Sequence, residues 1–331
     1  MELSHPLPPD PIFCTAQAYA LGWCRRTLAE AKAAGLCHSV LRGWYAHGPL
    51  PDAPAAQHLE TVAATHLAYE GRLVTSGVSA CLFHDLPVDD RDLDRVLVTR
   101  RTSDDGIPPC AHGTSSTRVL IRASCQPDDV IPGVPVLRPA AAVVEYALQS
   151  GLPAGVAAGD AALRSGVAKT ADITAAIGRR AGRTGIRRVS MLPGLLDPLA
   201  ENGGESKARL ALVQVGFDVE SQVWVETPTG WYRADWRVRG TATLIELDGV
   251  GKYLDEHDQL VTARVRRDRT RDRALEATGH GVVHLTMDDI NARDTLRPLV
   301  VQHAGDALRR PTPAPLFGRT RPNGQEWSAA G

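Results

Sequence analysis

Three carboxylates late in the chain, Asp235, Glu246 and Asp248, are spaced so that they can share one surface. The segment that holds them, residues 232–248, reads YRADWRVRGTATLIELD. Gly240 and Thr241 suit a two-residue hairpin loop, with glycine at the first central position as a type II′ turn requires. That loop sets Val238 opposite Thr243 and Asp235 opposite Glu246. Side chains alternate faces along a strand. Tyr232, Ala234, Trp236, Val238, Thr243, Ile245 and Leu247 then form a core face. Arg233, Asp235, Arg237, Leu244, Glu246 and Asp248 form the other. Like charges directly opposite on a sheet repel, costing a few tenths to about 1 kcal/mol. A divalent cation turns that repulsion into chelation, and Mg²⁺ takes one or two carboxylates together with substrate phosphate oxygens. Glu205, near the start of the preceding helix, adds a further acid. The alternative is a solvated strand face on which Arg233 and Arg237 neutralise the acids.

The order Glu205, Gln222, Asp235, Glu246-Leu247-Asp248-Gly249 and Lys252-Tyr253 is followed by an Arg-rich helix and a strand at 282–286. This pattern resembles the PD-(D/E)XK nuclease superfamily, and more narrowly its very-short-patch-repair (Vsr-like) endonuclease relatives. The resemblance implies that Asp235 and Glu246 are metal ligands, that Glu205 is the helix-borne third ligand, and that Asp248 and Lys252 belong to the catalytic set. It also implies Mg²⁺ as cofactor, activating water and neutralising charge at a scissile DNA phosphate. One position departs from the family pattern. The superfamily carries lysine two residues after the glutamate, where this chain has Asp248. Two readings stay open. In one, Lys252 supplies the missing cation and the protein is a Mg²⁺-dependent deoxyribonuclease. In the other, the nuclease fold is catalytically degenerate and serves a transcriptional regulator or antitoxin of a type IV toxin–antitoxin-like system.

Positioning these residues requires a helix at 206–215 stopped by Gly216, a strand near 219–226, a turn at 228–230 and the hairpin. A long helix at about 257–278, a strand at 282–286 and helical sequence at 288–308 complete the order α-β-β-β-α-β-α. Residues 262–273 hold six arginines against two aspartates. Arg264, Arg267 and Arg271 are the phosphate contacts expected from that helix. His257 and His280 border these elements and could shuttle a proton near neutrality, but an exposed helix-end or loop histidine is more often inert, and they are assigned no role.

Residues 12–47 read as helix, turn, helix and hairpin. Thr15 is expected to cap a helix over 16–21, Gly22 to break it, and Gly35 to end a second helix at 24–34. Strands follow at 36–40 and 43–46. The parts Thr15-Ala16-Gln17-Ala18, Gly22, Gly35-Leu36 and Arg42-Gly43-Trp44-Tyr45-Ala46 resemble the winged helix-turn-helix of AbiEi-type antitoxins. The resemblance implies that Arg25, Arg26 and Lys32 on the second helix, with Arg42 at the wing, contact DNA. It also implies a toxin protein as a second partner. Trp23, Cys24 and Glu30 depart from the usual recognition-helix composition. The region from about 70 to 195 is similar to the segment between these two modules in actinobacterial proteins. Within it Ser79 and His84 lack a G-x-S-x-G elbow and are read as core or turn residues.

The fold class expected is therefore α+β and multidomain. A winged helix-turn-helix occupies 1–50, a mixed α/β middle region 51–195, a restriction-endonuclease-like domain 205–310 and a flexible tail 311–331. The 331 residues, 43% hydrophobic and 23% charged, suit globular cores. The net charge of −1 hides the local basic segment. Cys14, Cys24, Cys37, Cys81, Cys110 and Cys125 include no CxxC pair, which argues against a zinc finger. The start is polar and proline-rich without a signal-like apolar stretch, and no apolar run reaches membrane-spanning length. The expected location is the cytoplasm, with free thiols.

Overall fold

The computed structural model describes residues 6–101, 110–113, 118–122, 125–248, 270–313 and 316–317. The chain divides into two compact units, Met1–Leu196 and Asp197–Gly331. Each mixes helices and strands, as expected for the α+β class.

The first unit opens with β1 (Ile12–Cys14), α1 (Thr15–Ala20), α2 (Arg25–Ala33), β2 (Cys37–Leu41) and β3 (Trp44–His47). The strands form an antiparallel sheet in the order β1-β3-β2. Cys14, not Thr15, is the N-cap of α1: its N–H donates to Gln17 Oε1 at 2.7 Å. The Thr15 hydroxyl instead donates to the Gly43 carbonyl at 3.2 Å. Left-handed backbone at Gly43 (φ +78°) makes the β2–β3 turn, one residue later than the sequence suggests. Phe13, Ala18, Trp23, Leu28 and Ala31 close a small core, which explains a tryptophan just before α2.

The same unit continues through α3 (Pro54–Ala68), β4 (Leu73–Thr75), α4 (Gly77–Phe83), β5 (Arg95–Arg100), β6 (Cys110–Gly113) and β7 (Arg118–Arg122). These strands form a mixed sheet in the order β4-β5-β7-β6, with β5 and β7 parallel. β6 lies in a stretch rich in turn residues that the sequence suggests is loop. Val40, Leu41 and Ala46 from the first 50 residues share one core cluster with Ala64, Leu73, Val96, Val98, Val119 and Ile121. Ser79 meets His58, not His84. Both are fully buried, with His58 Nε2 2.8 Å from Ser79 Oγ, which accepts the Leu97 N–H.

Helices α5 (Pro139–Ser150), α6 (Leu152–Arg164) and α7 (Thr170–Gly178) follow, with the short α8 (Ile186–Val189) and α9 (Leu192–Leu195). An ion network ties this region together. Arg180, 4% exposed, bonds Asp129 at 2.8 Å and Glu145 at 2.7 Å, and Arg179 and Arg183 pair with the same two acids.

The second unit contains α10 (Gly203–Gln214), β8 (Val219–Thr227), β9 (Gly230–Val238), β10 (Thr243–Asp248), α11 (270–277), β11 (Gly281–Thr286), α12 (Met287–Asn291), α13 (Arg293–Ala304) and β12 (Leu316–Phe317). The sheet order is β11-β10-β9-β8-β12, with β10 and β11 parallel. β12 pairs with β8 inside the segment expected to be a flexible tail. Trp236 and Ile245 lie directly opposite each other, as do Arg237 and Leu244, which is the register the sequence predicts. The loop differs from that prediction. Thr241 N–H bonds Val238 O, but Ala242 N–H turns to the carbonyls of Ala307 and Arg310, so the connection is four residues long. One face of the hairpin packs Trp236, Val238 and Ile245 on α10, α12 and α13. Ala234 departs from strict alternation and joins Val225, Leu244 and Leu275 in a second cluster.

The Arg180 network gives a direct test. Arg180 is the guanidinium shared by both buried acids, and breaking such buried pairs typically costs about 3 kcal/mol or more. Urea unfolding of Arg180→Met is expected to show a loss of that size, and a loss under about 1 kcal/mol would contradict this account of the network.

Candidate functional site

Asn202 starts α10. Its Oδ1 accepts the Glu205 N–H at 2.9 Å and its Nδ2 donates to Glu205 Oε1 at 2.7 Å. This reciprocal cap holds the glutamate in the first turn, where the helix end favours negative charge. Glu205 Oε2 accepts from the Glu201 N–H at 2.8 Å and from Gln222 Nε2 at 3.2 Å. The residue is 7% exposed. Burial, with the charges of Asp235 and Glu201 adding to it, pushes its carboxyl up to about 7. The Glu201 N–H and Arg233 act in the opposite direction.

Gln222 is the most unusual residue here. It lies in β8 between Ser221, opposite Trp236, and Val223, opposite Ala234. Its backbone is left-handed, φ +57°, a conformation costing a residue with a Cβ roughly 1–2 kcal/mol. Its Nε2 is spent on Glu205, and its Oε1 is buried with no hydrogen-bond partner. Positive φ and an unsatisfied buried oxygen thus coincide at one residue.

Asp235 Oδ2 accepts the Leu247 N–H at 2.8 Å, which pins the carboxylate against β10 one residue past Glu246. Glu246, 5% exposed, is in close ion pair with Arg271, whose guanidinium also donates to the Arg233 carbonyl. Arg271 is thus directed at the hairpin rather than displayed as the free phosphate contact expected of it. Arg233 pairs with Glu201 and Arg237 with Glu220, so each strand arginine engages a glutamate outside the hairpin. Asp248 lies 3.5 Å from His284 Nδ1, and His284 Nε2 lies 3.1 Å from Asp272. His284 stands directly beside Glu246 across the parallel pair, and in the sequence only the alternation of strand 282–286 signals it. His280 is 4% exposed and takes a hydrogen bond with Thr278; burial lowers its pKa, which suits a structural role. Lys252, Arg264, Arg267 and His257 lie outside the described residues.

The acids are therefore gathered on α10, β9 and β10, each with its own protein partner. Among the described residues no three His, Cys, Asp or Glu side chains form a ready metal cage. Glu205, Asp235 and Glu246 carry carboxylates and Gln222 an amide oxygen without a partner, all hard oxygen donors. In the first unit, Arg25, Arg26, Lys32 and Arg42 are all exposed. Arg26 pairs with Glu30 at 3.5 Å, a solvated contact of little energy. Trp23, Leu28 and Ala31 anchor the opposite face of α2.

The chain is similar to two uncharacterized proteins of Mycobacterium tuberculosis, MT2308 of strain CDC 1551 / Oshkosh and Rv2248 of strain H37Rv. Each is 30% identical over 153 residues, which is 46% of this chain and 55% of the relative. The chain thus spans about half the length of the curated relatives it matches. No family model and no solved structure matches it.

Glu205 gives a pH test with a definite sign. Its folded pKa lies above the ordinary value of 4.5, so the folded state holds the proton more tightly than the unfolded chain. Its contribution is fully present below about pH 4.5, is lost as pH rises to about 7, and is flat above that. The loss is of the order of 3 kcal/mol. Glu205→Gln should remove this component. Urea melts at pH 5 and pH 8 should show the variant gaining stability relative to wild type at the higher pH; parallel profiles would reject the assignment.

Proposed function

We propose that the Asp197–Gly331 unit is a Mg²⁺-dependent DNA phosphodiesterase of the PD-(D/E)XK, Vsr-like type. We further propose that the first 50 residues form a winged helix-turn-helix that holds the DNA. The observation that carries the reading is the strained Gln222, whose orphaned oxygen lies in the same cluster as the buried Glu205 carboxylate and Asp235. Glu205, Asp235, Glu246 and Gln222 Oε1 would hold the metal. When bound, Mg²⁺ activates water and offsets charge on the scissile phosphate. The protein's own contributions are distinct. The Asn202 cap and the Glu201 N–H orient Glu205, the Leu247 N–H orients Asp235, and Arg271 balances the charge of Glu246. The exposed Arg25, Arg26, Lys32 and Arg42 supply phosphate contacts that fix position without reading sequence.

One observation favours a second reading. Arg271 already supplies a cation to Glu246, and Asp248, where the superfamily has lysine, faces His284. A regulator or antitoxin that keeps the nuclease fold as a scaffold would have this arrangement.

Plasmid nicking separates the two. Under the first reading wild-type protein nicks supercoiled DNA in millimolar Mg²⁺, Asp235→Ala and Glu246→Ala abolish nicking, and Gln222→Ala lowers it about 10–100-fold. Absence of nicking by wild type and by Arg271→Ala on duplex and single-stranded DNA, with no Mg²⁺ heat signal in calorimetry, would leave the scaffold reading. DNA binding is tested independently by salt titration. Each lost phosphate contact should flatten the slope of log K against log salt by about 0.9. Arg25→Ala and Arg42→Ala are each expected to do so, and unchanged slopes would remove these residues from the interface.

A further inference from the structure

The first unit contains a cavity of about 620 Å³ that the nuclease and DNA-binding readings leave unused. That volume suits a small organic ligand. Its apolar wall is Leu97, Ile121 and Leu148; its polar wall includes Arg122, Gln149 and Arg183. The polar groups have a clear sign. Glu145 reaches the cavity but is matched by Arg180 and Arg183, while Asp129 behind it is matched by Arg179 and Arg180. Three guanidiniums thus face two carboxylates, and Arg122 adds a further positive charge. Among the described residues the Arg122 guanidinium has no acidic partner.

Gln149 supplies an independent observation. Its Oε1 accepts the Val78 N–H at 3.2 Å. Gly77 makes this approach possible: a Cβ there would stand 2.7 Å from Oε1 and 2.3 Å from Leu97 Cδ2. With the oxygen fixed, the other amide atom, Nε2, is left buried with no partner. A buried donor without an acceptor is costly, and a ligand oxygen would relieve it.

We infer that this cavity binds an organic anion with an apolar body, its charged group held by Arg122 and the Gln149 amide and its body lying on Leu97, Ile121 and Leu148. The recognition is charge-assisted hydrogen bonding at one end and apolar contact at the other.

The test is fluorescence titration of the full chain with anilinonaphthalenesulfonate, beside its uncharged analogue N-phenylnaphthylamine. The sulfonate should bind saturably at one site and at least about tenfold more tightly than the neutral probe, as a charge-assisted contact requires. Arg122 is exposed, so its replacement spares the core. Arg122→Glu should weaken sulfonate binding by about tenfold or more, and Arg122→Lys should retain most of it. Thr184→Trp, which projects bulk from another lining position, should also reduce binding. Absence of saturable sulfonate binding, equal affinity for the two probes, or unchanged affinity in both Arg122→Glu and Thr184→Trp would overturn the inference.

Discussion

Burial of Trp236 against Ile245 is the contact on which the second unit depends. The two residues face each other on adjacent central strands and are enclosed by three helices. Losing a side chain of this size from a core costs about 3–5 kcal/mol. A one-residue slip of β9 on β10 would exchange the faces of a strand, forcing Asp235 or Glu246 into the apolar cluster. The core therefore fixes where the acids stand, although none of the acids belongs to it.

The two units treat buried carboxylates in different ways. In the first, Asp129 and Glu145 are buried with guanidiniums on both sides. In the second, Glu205 is buried among amides and an acidic neighbour, and its proton affinity rises. Paired charge fits a structural brace, whose members hold each other in place. Glu205 is held by hydrogen bonds from neutral groups instead, and burial is the first cause of its raised proton affinity.

The hairpin register was legible because strand period and a turn glycine are both local signals. The helices at 206–215 and 288–308 were legible for the same reason, to within a few residues. What escaped the sequence was set at long range. The left-handed backbone at Gln222 comes with a bond to Glu205 on another element, and the alternation rule misplaced Ala234, which joins Val225, Leu244 and Leu275. Ser79 found His58, 21 residues earlier, rather than His84 at the far end of its own helix. The strand β1 is only three residues long and exists through its pairing with β3, and β12 likewise depends on β8. Within the candidate site, Glu205, Asp235 and Glu246 came from spacing and resemblance, whereas His284 needed the parallel pairing to be seen. The cavity in the first unit is assembled from β5, β7, α5 and the 182–184 turn, and no local pattern announces such a convergence.

The smallest strand has a consequence of another kind. β8 would otherwise present Trp224 and Val225 at the margin of the sheet, a row of open backbone groups beside large apolar side chains. Leu316 and Phe317 occupy those positions. An uncovered sheet margin is a template for pairing between molecules. The pairing of 316–317 thus covers the backbone of β8 at Trp224 and Val225, the stretch where open edge groups would lie beside apolar side chains.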